Sequence, residues 1–133
     1  MQQITDRIRE DWGDSPQSRI CLTILDYIRT YPGGRLSHIT PGSLHRLFGG
    51  EYDDPHILGA AQYLCGDRVR ILDIRFELID TDDQTFVLDN EDIREAEETG
   101  CLIHPETGDP VKNFKNKVFI FFEPSTAAKQ IFW

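Results

Sequence analysis

The chain has 133 residues, 39% of them hydrophobic and 28% charged, with a formal net charge of −9. That length is enough for one domain with a buried core, and the composition is that of an ordinary globular chain. No apolar run approaches the ~20 residues of a membrane span. The opening MQQITDRIRE lacks the apolar stretch of a signal peptide, and three cysteines (Cys21, Cys65, Cys101) are a poor disulfide framework. These features predict a cytoplasmic protein that does not engage membranes.

The charge is uneven. Residues 1–50 sum to +1, residues 51–100 to −11 and residues 101–133 to +1, and all four lysines (Lys112, Lys115, Lys117, Lys129) fall in the last segment. An acidic middle repels phosphate backbones and favours basic partners. The plainer reading is that it keeps the protein soluble.

Ile4, Ile8 and Trp12 recur at helical spacing and predict a short helix that stops at Gly13-Asp14. Ser15-Pro16 supplies a cap and a first helical residue for a helix over 17–31. Its stripe of Ile20, Ile24, Ile28 and Tyr31, widened by Cys21, Leu25 and Tyr27, is broad enough for a core helix. Pro32-Gly33-Gly34 stops it, and Arg35 to Ile39 reads as a short strand. Thr40-Pro41 starts another helix, which turns Leu44, Leu47 and Phe48 inward before Gly49-Gly50. Asp53 or Asp54 caps the next one, with Ile57, Ala60, Ala61 and Leu64 as its core face and Gly66 as its end.

In RVRILDIRFELID, Leu72, Ile74, Phe76 and Leu78 alternate with Asp73, Arg75 and Glu77, which predicts a strand with one buried and one wet face. Asp80 to Gln84 is the turn, and Thr85 to Leu88 returns with Phe86 and Leu88 inward. Asp89 or Asn90 then caps an acidic helix to about Thr99. Cys101 to Ile103 and Val111 to Phe114 read as short strands around a turn marked by Pro105, Gly108 and Pro110. The apolar run Val118 to Phe122 has no polar alternation, so it is expected to join these short strands and be buried on both faces. Ser125 to Trp133 reads as a small-residue link ending in Ile131, Phe132 and Trp133.

Residues 17–89, in the stretches SRICLTILDYIRTYP, TPGSLHRLFG, DPHILGAAQYLCG and RILDIRFELIDTDDQTFVLD, resemble the winged helix-turn-helix superfamily in element order and length. The resemblance implies a winged helix-turn-helix core over 17–89 and covers no more of the chain; the residue patterns add the acidic helix 90–99 and a C-terminal antiparallel β extension over 100–133, which makes the expected fold α+β. All of it is expected to form a single domain. In DNA-binding members the third helix enters the major groove while basic residues hold phosphates. Here the exposed positions of that helix offer Asp54, His56, Gly59 and Gln62, and the wing tip is Asp80-Thr81-Asp82-Asp83-Gln84. A DNA-binding regulator, the alternative reading, would have to draw on Arg35, His38, His45, Arg46, Arg68 and Arg70.

Cys101-x-x-His104 has the spacing of half a zinc site, but His38, His45, His56, Cys21 and Cys65 form no second close pair. Cys101 is therefore read as a small buried apolar residue. Asp80, Asp82 and Asp83 lack the glycine and terminal glutamate of a calcium loop. Asp73 and Glu77 have no neighbouring lysine for a metal nuclease centre, and Gly33-Gly34 and Gly49-Gly50 are helix stops. No catalytic, cofactor or metal residue is assigned, and a small enzyme with an unrecognised site is the third reading. The expected function is a non-enzymatic protein-interaction module: an adaptor, a subunit, or an inhibitor that mimics the charge of DNA. It would meet a basic protein through Asp80, Asp82, Asp83, Glu91, Glu95 and Glu98. The aromatic-rich end closes the extra sheet or makes a second contact through Phe119, Phe121, Ile131, Phe132 and Trp133, with a homo-oligomer as one form of it.

Overall fold

The computed structural model describes residues 2–31, 38–79 and 84–132. Over them the chain is mixed α+β, with six helices and a small three-stranded antiparallel sheet. It divides into two compact units: residues 1–74 with 122–133, and residues 75–121. The first is therefore discontinuous in sequence, and the second is inserted into it.

The first unit is built from capped helices. Helix α1 (Gln2–Trp12) buries Ile4 and Ile8, and α2 (Pro16–Thr30) buries Ile20, Cys21, Ile24, Leu25 and Ile28. The Ser15 side chain accepts from the Ser18 amide at 3.3 Å, while Pro16 occupies a position whose amide has no helical partner anyway. Helix α3 (Pro41–Phe48) opens with a reciprocal Thr40–Ser43 capping box and closes at Gly49, whose φ of 58° suits a residue without a Cβ. Helix α4 (Asp54–Cys65) is capped by Asp53 and buries Ile57, Ala60, Ala61 and Leu64. The two alanines bring α4 close to α2, where the Cys21 Sγ lies 4.0 Å from the Ala60 carbonyl. Each large aliphatic side chain in this core contributes about 1.5–3 kcal/mol of burial.

Two strands run from this unit into the other: β1 (Leu72–Ile79) and the last strand of the chain, β5 (Val118–Pro124). They pair side by side. This corrects the expectation that Val118 to Phe122 joins the short strands of a separate C-terminal sheet. Period and composition show that a strand is apolar, but they do not show which distant strand it pairs with. Within the first unit, Ser125 N donates to Ile71 O at 2.9 Å, and Ile39 and Phe122 exchange backbone hydrogen bonds at 2.7 and 2.8 Å. Ile39 is thus the described end of the expected 35–39 strand, and Arg35 lies outside the described residues. Ser125 to Phe132 is no link. Helix α6 (Thr126–Phe132) starts there, because the Ser125 hydroxyl accepts from Ala128 N at 3.1 Å and donates to Arg70 O at 2.7 Å. The short side chains of Ala127 and Ala128, read as a link, are good helix formers.

In the second unit, β1 pairs with β2 (Thr85–Leu88) in the register Phe76↔Leu88, Glu77↔Val87, Leu78↔Phe86 and Ile79↔Thr85. The core is Leu78, Leu88, Ala96 and Leu102, with Phe76, Phe86, Ile93, Val111, Phe114 and Val118 packed against it. Helix α5 (Asn90–Thr99) is capped by Asp89, with Asp92 reciprocating, and ends at Gly100. Strands β3 (Leu102–Ile103) and β4 (Pro110–Val111) pair with each other. Most of the turn between β1 and β2, including Asp80, Asp82 and Asp83, lies outside the described residues.

One expectation for β1 is corrected. Phe76 is half-buried and packs against the core on the expected face, but Glu77, expected on the wet face, is only 6% exposed. The Ile79–Lys117 hydrogen bond at 2.9 Å sets the antiparallel register that places Glu77 between Val87 and Phe119. A strand read without its neighbours does not reveal this placement. The Val118 to Phe122 run is also not buried throughout: Phe121 and Phe122 are buried, but Phe119 is 48% exposed.

Candidate interaction surface

Helix α5 carries the most one-sided charge among the described residues. Ala96 and Ile93 turn into the core of the second unit. Glu91, Glu95 and Glu98, spaced i, i+4 and i+7, line the opposite face and are all exposed. Asp89 and Asp92 are occupied as the capping pair. Arg94 is the helix's one cation, and its nearest contact to Glu91 is a loose 4.0 Å. The last turn of α5 has no basic residue. Glu97 and Glu98 sit there at the negative end of the helix dipole, a position that costs local stability. The acidic face therefore does little to stabilise its own helix.

The cations proposed for a nucleic-acid surface are distributed differently. Arg68 bonds Asp11 at 3.0 and 3.1 Å and Glu10 at 3.2 Å. The Tyr63 hydroxyl also donates to Asp11, and its ring meets Trp12 edge-on at 5.4 Å. The Arg68 hydrogen bond, then that of Tyr63, holds the Asp11 carboxyl below its ordinary value. Arg70 lies between Asp67 at 3.6 Å and Asp73 at 4.0 Å. His45 bonds Asp54 through Nδ1 at 2.8 Å, and His56 pairs with its own cap residue Asp53. No described acidic residue pairs with Arg46, whose guanidinium lies over Gly42. His45 and Arg46 line a notch of about 310 Å³ with Pro41, Gly42, Asp54, Ile57 and Leu58. Of the residues named for DNA, then, only His45 and Arg46 come together in this notch. Arg68 is turned to α1, and Arg70 to its own loop.

The residues expected to form an aromatic contact are divided between the two units. Phe121 is buried at 5% exposure. Ile131 is 48% exposed, Phe132 is half-buried, and Trp133 lies outside the described residues. Within the second unit, α5 packs on the side of the sheet that carries Leu78, Leu88 and Val118. Phe119, one residue on from Val118 and cross-strand from Glu77, is on the other side, together with Val87 at 54% exposure. The acidic stripe and the exposed Phe119 are therefore separate surfaces. Val87 was missed in the sequence, although its place between the inward Phe86 and Leu88 already turned it outward.

The cysteines divide by location. Burial pushes the Cys21 thiol up to about 12 and the Cys65 thiol up to about 11. Cys101 is exposed, which corrects its reading as a buried residue. Gly100 ends the helix immediately before it, and burial begins only at Leu102. His104 Nδ1 accepts from Glu106 N at 3.1 Å and Thr107 N at 3.2 Å, and its ring lies 4.5 Å from that of Phe86. That nitrogen organises a turn instead of facing Cys101. Among the described residues, no three His, Cys, Asp or Glu side chains are grouped to hold a metal ion, and no helix is long and apolar enough to cross a membrane. No family model, curated protein or solved structure matches the chain.

Proposed function

We propose that the protein is a non-catalytic interaction module whose acidic α5 face docks a basic protein surface. The observation that carries this reading is the contrast in charge pairing. Glu95 and Glu98 present carboxylates to solvent and Glu91 has only its loose 4.0 Å contact to Arg94, whereas Arg68 and His45 are held at 3.0 and 2.8 Å by carboxylates of the chain itself. An unneutralised acidic face steers and selects basic partners more than it stabilises its own fold.

The same reading takes the first unit as a winged-helix core. The order α2, Ile39, α3, α4, β1 supports it, as does β5 pairing with both β1 and Ile39. On this view β5, not β2, is the returning strand of the wing, and residues 75–121 are an insertion between the two wing strands. The insertion would carry the docking face, and the core would be its scaffold.

Arg46 beside its notch is the specific observation in favour of nucleic acid as the partner. Fluorescence anisotropy with duplex DNA across a salt series separates the readings. The interaction-module reading expects binding no tighter than the roughly 10⁻⁴–10⁻⁶ M non-specific range at physiological salt. Nanomolar, sequence-selective binding that Arg46→Ala abolishes would replace it with the DNA-binding reading.

A further inference from the structure

We infer that the notch between α3 and α4 binds a small aliphatic monocarboxylate, with its carboxylate on Arg46 and its stem on Pro41, Ile57 and Leu58. This stands apart from the acidic docking reading and gives Arg46 a ligand other than a DNA phosphate.

The notch holds about 310 Å³, and every residue that lines it is described and belongs to the first unit. That is the lower end of the roughly 300–1,000 Å³ of small-molecule sites, so the ligand is short. A long side chain on a helix leans toward the helix N-terminus. Arg46 does so: its Nη1 lies 3.6 Å from where a side chain at Gly42 would begin, one turn back. With glycine there, no side chain stands between the guanidinium and the first turn of α3. Among the described residues no carboxylate pairs with Arg46, and Asp54, which shares the notch, is held by His45 Nδ1 at 2.8 Å.

The lining decides which anion is admitted. A guanidinium presents a planar fork of donors that matches two oxygens of a carboxylate or of a phosphate. Asp54 separates the two. A phosphate dianion would bring a second negative charge into a small space that already holds the Asp54 carboxylate, whereas a monoanion brings only the charge that Arg46 balances. Pro41, Ile57 and Leu58 offer no hydrogen-bonding side chain to the remaining phosphate oxygens, but they shelter an aliphatic stem from water.

The test is an amide-resolved NMR titration of the full chain at constant ionic strength with isovalerate, acetate, isovaleramide and inorganic phosphate. The expected result is that isovalerate gives saturable shifts within residues 42–46 and 54–58. Acetate, which lacks the branched stem, and isovaleramide, which lacks the charge, should each bind at least about tenfold more weakly. Arg46→Gln, with a spectrum that matches the wild type away from the notch, should lower isovalerate affinity about tenfold or more. The series of probes needs only the wild-type chain. No saturable shift in the notch, equal binding of isovalerate and isovaleramide, or unchanged affinity in Arg46→Gln would each overturn the inference. Tighter binding of phosphate than of isovalerate would also overturn it, and would favour the nucleic-acid reading of Arg46.

Discussion

The two units of this chain use charge in opposite ways. In the first, charged side chains close the structure: Arg68 ties α1 to the end of α4 through Asp11 and Glu10, and His45 ties α3 to α4 through Asp54. Its interior includes fully buried aliphatic residues from four helices, among them Ile8, Ile24, Leu44 and Leu64. In the second unit the fully buried set is small, and half-buried aromatics complete it. The carboxylates of Glu91, Glu95 and Glu98 on α5 face water, while Asp89 and Asp92 cap that helix and Glu77 is buried. The first unit has the packing of a scaffold, and the second has the exposed groups of a surface.

The comparison can be broken most sharply at two phenylalanines. Phe122→Ala, fully buried in the first unit, should cost about 3–5 kcal/mol. Phe76→Ala, half-buried in the second, should cost less, about 1–3 kcal/mol. Chemical denaturation of both variants checks the order, and a larger loss at Phe76 would reverse the assignment of scaffold and surface. Ser125→Ala comes next. It removes the cap of α6 and leaves the Arg70 carbonyl without its 2.7 Å donor, at a cost of about 0.5–2 kcal/mol in thermal unfolding. No measurable shift would mean that α6 adds nothing to the first unit.

Asp11 tests the charge pairing by pH. Its folded pKa is depressed below 3.8, so its stabilising contribution is fully present above that value and is lost as pH falls through the folded pKa. Carboxyl NMR titration should place the midpoint below 3.8, and Arg68→Ala should raise it. An unchanged midpoint in Arg68→Ala would remove Arg68 as the cause. The smallest effect is expected at Glu98. Glu98→Lys places a cation at the C-terminal end of α5 and should raise stability by about 0.3–1 kcal/mol, read as a small upward shift in Tm. A loss of stability would show that Glu98 has a structural role, which the account denies it.

Local chemistry made most elements legible in the sequence. Ser15-Pro16, Thr40-Pro41 and Asp53 mark helix starts because short polar side chains satisfy amides that the helix leaves open, and these caps are where the structure has them. The alternation of Phe86, Val87 and Leu88 likewise gave the faces of β2 correctly. What was not legible depends on partners far away in sequence. Glu77 is buried at a register position between Val87 and Phe119, on strands to either side. Val118 to Phe122 announced its apolar character but not β1 as its neighbour. Ser125 looked like a linker residue because its bond to Arg70 O crosses 55 positions of chain. The candidate surface was legible in part: the i, i+4, i+7 spacing of Glu91, Glu95 and Glu98 is visible in the sequence. The engagement of Arg68 by α1 is not, because nothing local links positions so far apart.

The most direct test of the account is affinity capture from the protein's own source, run in parallel with the wild-type chain and the variant Glu91→Lys/Glu95→Lys/Glu98→Lys. The account predicts a protein with a basic surface that the wild type retains at low salt, that salt elutes, and that the variant does not retain. Equal retention by both chains, or recovery of nucleic acid alone, would contradict it.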